Sequence, residues 1–211
     1  MSSADGVDVT LAPSSSLVER FGLFIIIVLG EVVVGAVTGM SDAERTALTI
    51  TTGMLGLMIG FAFWWTYFDF VGRRLPRFER GSIIQWMYSH LPITMSIAAA
   101  GAALVSLIEH AHDARTPEAT AWLLGGSVAL GLCSIVITMS SLDDWDRFPT
   151  LYRPVAAATL VGALAALGRA WLHPAPWLLA LLLLTSLTAV WIFANYRWLQ
   201  LDDPDAAIPT D

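Results

Sequence analysis

The sequence predicts an all-α protein, a polytopic helical bundle built into a membrane. Three observations carry that expectation. The chain of 211 residues is 56 % hydrophobic and only 14 % charged, whereas soluble domains carry roughly a quarter charged residues; its mean hydropathy is +0.66. Six segments reach the roughly 20 apolar residues that a bilayer crossing needs. Finally, every fixed positive side chain is an arginine, and the arginines gather in the connections between those segments.

Taken in order, residues 1–16 are polar and Ser-rich and read as a flexible tail. The transmembrane bundle is expected over 17–199, with spans near 20–40, 47–71, 82–108, 118–141, 153–172 and 175–197. The first span holds the run Phe21 to Val37, interrupted by Glu31. The second closes on the aromatic series Phe61 to Phe70. The third is long enough to pass beyond the hydrocarbon at Glu109 and His110, and it contains Pro92. The fourth offers polar but non-ionisable groups at Ser134 and Thr138. The fifth is the weakest, because Arg169 lies near its end, and the sixth carries Asn195. Residues 200–211 form an acidic C-terminal tail.

The loop Gly72 to Arg80 holds four arginines, which the positive-inside rule assigns to the cytoplasm. Both termini then fall inside. Arg20, Arg73, Arg74, Arg77, Arg80, Arg147, Arg153 and Arg197 lie on that side, against Arg45, Arg115 and Arg169 on the other. The net charge of −7 argues against a nucleic-acid partner. The one cysteine, Cys133, excludes an intrachain disulfide and any multi-cysteine metal site. There is no phosphate loop, no nucleophile elbow and no His-Glu-x-x-His, so the sequence calls for no cofactor and no metal. Glu109, His110, His112 and Asp113 have the density of a metal site, but at a loop they read as a solvated helix end.

The candidate site is polar and sits in the first three spans. A carboxyl group near a bilayer midplane costs roughly 2.5–3.5 kcal/mol on insertion scales, so Glu31 calls for a reason. Helical geometry puts Arg20 on the same stripe as Glu31, about 16 Å away along the axis, with Glu19 pointing elsewhere. Asp69 follows Trp65 by one turn and precedes Arg73 by one turn, which allows either an acid under aromatic walls or a local Asp69–Arg73 pair. Trp86 and His90 share a face beside Pro92, whose missing N–H leaves the Tyr88 carbonyl short of a partner. Glu31, His90 and Asp69 are the candidate catalytic groups. Glu19, Arg20, Trp64, Trp65, Tyr67, Trp86 and Arg73 are the candidate substrate-binding groups. Glu31 and His90 are expected to face each other across a pocket opening inward. The aromatic residues of the last spans, Trp191 among them, read as an interfacial belt.

Three stretches carry a resemblance. Leu17 to Glu31, reading LVERFGLFIIIVLGE, resembles the hallmark of the bacterial low-temperature-requirement A family. Trp64 to Phe68 and Tyr88 to Pro92 resemble that family's second and third signatures, in the same order. Typical members are about twice this length, and this chain resembles their C-terminal half; it departs at Ser16, where members often have His. The resemblance implies a helical bundle in the bacterial inner membrane, and it makes a homodimer that rebuilds the double-length bundle an expectation.

Three functions fit these residues. One is an enzyme doing acid–base chemistry on a small lipophilic, isoprenoid-like substrate drawn from the membrane lipids. There Glu31, favoured in its neutral form by hydrocarbon, is the general acid, and aromatic rings stabilise a developing cation. Arg20, with Arg73 or Arg74, holds an anionic head. The second is a proton-linked transporter or permease, because staggered acids and histidines also make a proton relay. The third is a non-catalytic membrane component whose polar groups only fix helix packing.

Overall fold

A computed structural model of the protein describes residues 14–201, and the remaining parts of both expected tails, 1–13 and 202–211, lie outside the described residues. The described residues are helical, in seven helices: α1 (Ser15–Asp42), α2 (Ala47–Phe70), α3 (Arg80–Glu109), α4 (Glu118–Met139), α5 (Asp144–Arg147), α6 (Pro149–Leu172) and α7 (Pro176–Trp198). Six are long and apolar enough to cross a membrane, and they coincide with the six predicted segments. The exception is α5, four residues in the connection before α6. So short a turn carries no hydrophobic period that a sequence can display.

Local chemistry sets the ends. The Ser14 hydroxyl accepts from the Leu17 amide at 3.2 Å, so α1 begins at Ser15, inside the stretch expected to be tail. The Thr46 hydroxyl does the same for the Thr49 amide, also at 3.2 Å. Pro149 and Pro176 occupy the first turns of α6 and α7, where a missing N–H costs nothing. Pro92 lies inside α3, which runs unbroken past it. Arg169, which made the fifth span look weak, falls in the last turn of α6, where a long side chain can reach toward the headgroups.

The six spanning helices close into a ring in the order α1, α3, α4, α6, α7, α2. Glycines let neighbours approach. A Cβ on Gly35 of α1 would run into the Gly101 carbonyl oxygen of α3, and one on Gly101 would lie 2.5 Å from the Glu31 carbonyl oxygen. The two backbones therefore touch at this crossing, which only small residues permit. Antiparallel alternation gathers the starts of α1, α3 and α6 and the ends of α2, α4 and α7 at one end, the arginine-rich one. There the connection after α2 and the connection after α4 are tied together. Arg77 N donates to the Ser141 carbonyl at 2.9 Å, Asp143 N donates to the Leu75 carbonyl at 3.3 Å, and Arg77 pairs with Asp146 at 2.6 Å.

Candidate functional site

The first three helices bring part of the predicted constellation together and separate the rest. Tyr67 from α2 and Trp86 and His90 from α3 meet in the interior with Phe21 of α1. Trp86 is 0 % exposed, and Tyr67 and His90 are each 2 % exposed. His90 Nδ1 lies 2.7 Å from the Trp86 carbonyl oxygen, which can only accept, so Nδ1 carries the proton and donates. In the neutral ring Nε2 is then the acceptor of the Tyr67 hydroxyl proton, at 3.0 Å. Phe21 packs against both rings, with centroids 4.9 Å from Trp86 and 4.7 Å from His90. Both nitrogens of His90 are thereby engaged. The Trp86 indole N–H is buried with no hydrogen-bond partner among the described residues.

Glu31 does not face this cluster. Its side chain is exposed on the outer surface of α1, in line with Phe24, Ile27 and Val34, and among the described residues it makes no hydrogen bond or ion pair. The expected pocket with Glu31 and His90 across from each other is therefore corrected: one group points out of the bundle and the other is sealed within it. The reason is the α1–α3 crossing. α1 turns Ile25, Val32, Ala36 and Gly39 into the bundle, and Glu31, one turn before Gly35, is left at the outer edge of that crossing with its carbonyl oxygen against Gly101 and its side chain outside. Glu19 and Arg20 are exposed near the start of α1, and the stripe shared by Arg20 and Glu31 is an outer stripe.

Asp69 realises the aromatic-wall alternative. Its Oδ2 accepts from the indole N–H of Trp191 at 2.7 Å. Trp65, one turn earlier, packs against Trp191 with centroids 5.2 Å apart and the ring planes tilted by 43°. The other alternative, a local Asp69–Arg73 pair, does not form: Arg73 is exposed and carries no ion pair among the described residues. Its neighbour Arg74 does the structural work. It donates from Nε and Nη2 to the Asp69 carbonyl at 3.3 and 3.1 Å, ion-pairs with Asp144, and lies 5.6 Å from the Tyr152 ring centroid.

Two apolar grooves flank the outer ridge of α2. One, of about 180 Å³, lies between α1 and α2 and is lined by Ile26, Val33, Gly60, Phe61 and Trp64 among others. The second, of about 170 Å³, lies between α2 and α7 and runs from Met58 to Trp65 and Trp191. Trp64 and Trp65, both half-exposed, therefore line separate grooves rather than one pocket.

Most of the chain matches one family. A family model, that of the bacterial low temperature requirement A protein (LtrA), matches residues 3–195. The chain belongs to the LtrA family. It is a multi-pass membrane protein of that bacterial family. No curated protein and no solved structure matches it. Within this LtrA chain the three stretches that carried the resemblance lie on α1, α2 and α3, and they supply Phe21, Tyr67 and His90 to the buried cluster.

Sequence reasoning missed Trp191 as a site residue. It lies 122 positions from Asp69, and an indole near a span end looks the same whether it anchors to headgroups or donates inward. The Glu109–Asp113 stretch is resolved into separate contacts. His110 Nδ1 meets the Ser106 carbonyl at 2.8 Å and His112 Nε2 meets the Thr46 hydroxyl at 2.8 Å. Among the described residues no metal-ligating cluster forms.

Proposed function

We propose that this LtrA-family protein takes a lipophilic, chain-like small molecule sideways from the bilayer into the groove between α2 and α7, and that Asp69 is the acid presented to it. The observation that carries this reading is the contacting pair Trp65–Trp191 lining that groove while Trp191 holds the Asp69 carboxyl. An apolar groove with a few convergent polar groups is the ordinary form of a small-molecule site. Asp69 Oδ1 has no hydrogen bond among the described residues, so one carboxyl oxygen remains for proton exchange. Arg73, one turn beyond, is exposed at the arginine-rich end and available to an anionic head.

The chemistry this arrangement suits is proton-initiated rearrangement of an isoprenoid-like chain. A protonated Asp69 gives its proton to an alkene carbon: the O–H bond breaks, a C–H bond forms, and the cation on the neighbouring carbon lies against indole faces. The carboxylate then removes a proton from an adjacent carbon and returns to its starting state. In this reading His90 and Tyr67 position α2 against α3, and the arginine-rich end lies in the cytoplasm as the positive-inside rule demands.

The test is lipid-extract mass spectrometry of cells expressing wild type, Asp69→Asn or Leu184→Trp, alongside native mass spectrometry of each purified protein. Leu184 lines the groove, so a tryptophan there fills it. The expected result is a lipophilic species bound to wild type and lost from Leu184→Trp, with a cellular lipid change that Asp69→Asn abolishes while still binding. Identical lipid profiles in all three would remove the acid–base chemistry. Equal ligand retention by Leu184→Trp would remove the groove.

A further inference from the structure

We propose that a second copy of this chain covers the outer face of α1, pairing the two Glu31 carboxyls across a two-fold axis near the bilayer midplane. Of the six spanning helices α1 is the least covered: 28 % of its most apolar stretch is buried, against 61 % for α4. The open side is a continuous stripe, Phe24, Ile27, Glu31 and Val34, with Ile27 72 % exposed. Glu31 stands two to three residues past the midpoint of α1, about 4 Å along the axis.

A carboxyl at that depth cannot be left to lipid tails. Nor is it satisfied among the described residues. Arg20, on the same stripe, is about 16 Å away along the axis, beyond the combined reach of the two side chains. Rotating α1 to bring Glu31 inside is blocked, because Gly35 and Gly101 already bring the two backbones into contact. The partner must therefore come from outside, at the same depth. A second copy inserted in the same orientation supplies one automatically. A two-fold along the membrane normal sets equal depths opposite each other, as isologous interfaces require. The two carboxyls can then satisfy one another across the axis, an O–H of one donating to the carbonyl oxygen of the other. Beside Glu31, the exposed side of α3 presents Ala98 and Ala102, which let a second copy approach closely.

The experiment uses the full chain in phosphatidylcholine–phosphatidylglycerol liposomes, in a Cys133→Ala background. Ile27→Cys and Val34→Cys should cross-link to dimers under mild oxidation, while Val161→Cys, on exposed α6, should not. Subunit exchange followed by energy transfer should show Glu31→Gln dimerising nearly as wild type, since amides also pair reciprocally. Glu31→Leu should weaken the dimer about ten-fold. Monomeric wild type at high protein-to-lipid ratio, equal cross-linking at Val161→Cys, or undiminished dimer in a folded Glu31→Leu protein would each overturn the proposal. The cross-linking arm stands even where Glu31→Leu fails to fold.

Discussion

Tyr67 and His90 are joined by one hydrogen bond inside the bundle, where no water competes for either group. Tyr67→Phe leaves His90 Nε2 an unpaired acceptor, and this should cost about 1–3 kcal/mol. His90→Leu should be costly too, since it strands the Tyr67 hydroxyl. The double variant should cost less than the sum of the two singles. Detergent melting and denaturant titration of the four proteins measure that coupling, and strict additivity would show the contact to be idle. Arg73 and Arg74 make a second pair of neighbours with opposite expectations. Arg74 is largely buried against Asp144 and the Asp69 carbonyl, so Arg74→Ala should destabilise by roughly 1–3 kcal/mol, reduced from a fully buried pair by the partial exposure of Asp144. Arg73→Ala should stay within about 0.5 kcal/mol. Equal losses would restore the local Asp69–Arg73 pairing that the fold lacks.

Among the helices, the crossing of α1 with α3 is set by glycine. Gly35→Ala and Gly101→Ala each push a methyl into the backbone of the facing helix, which cannot move aside as a side-chain tip would. Each should lower stability by about 1–3 kcal/mol. Gly30→Ala, on the same helix, meets nothing within 4 Å and should be neutral or stabilising by up to about 1 kcal/mol through helix propensity. Melting temperatures of the three variants in one detergent check this, and a loss at Gly30 equal to that at Gly35 would contradict the packing described. Glu31 stands at the outer edge of the same crossing, its carbonyl oxygen against Gly101, so element packing and site geometry are one question here. The helices themselves were legible in advance, because about 20 apolar residues in a row admit few alternatives in a bilayer. The α1 stripe was legible as well, since Arg20 and Glu31 do share a face. That this face turns outward was not, because lipid-facing and packing residues look alike in one dimension.

For the whole molecule, the closed ring of six helices brings the arginine-rich connections to one end, and we propose, from the positive-inside rule, that this end faces the cytoplasm. Cysteine labelling tests the orientation. Ser41 is exposed at the opposite end, and Phe78 is 74 % exposed in the arginine-rich loop. In a Cys133-free protein, a membrane-impermeant maleimide added to sealed cells should modify Ser41→Cys and leave Phe78→Cys untouched until the cells are opened. The reverse pattern would invert the orientation. Gly72 is the wrong loop position for a label, because a side chain there meets the Tyr67 and Phe68 rings at 2.9 and 2.7 Å.

The sequence by itself determined the solvent of this protein, the number and extent of its spans, and the family signatures on the first three. These follow from local hydropathy and from residues close together in the chain. Only the tertiary structure decided which polar groups meet. Asp69 is held by Trp191 across 122 positions, His90 by Tyr67 across 23, and Glu31 by neither. Every spanning helix is apolar on nearly all sides, since its lipid face and its packing face carry the same kinds of residue. Hydrophobic pattern therefore cannot say which side turns inward. That choice is made by close contact between particular small residues, and it left a carboxyl on the outside of the bundle.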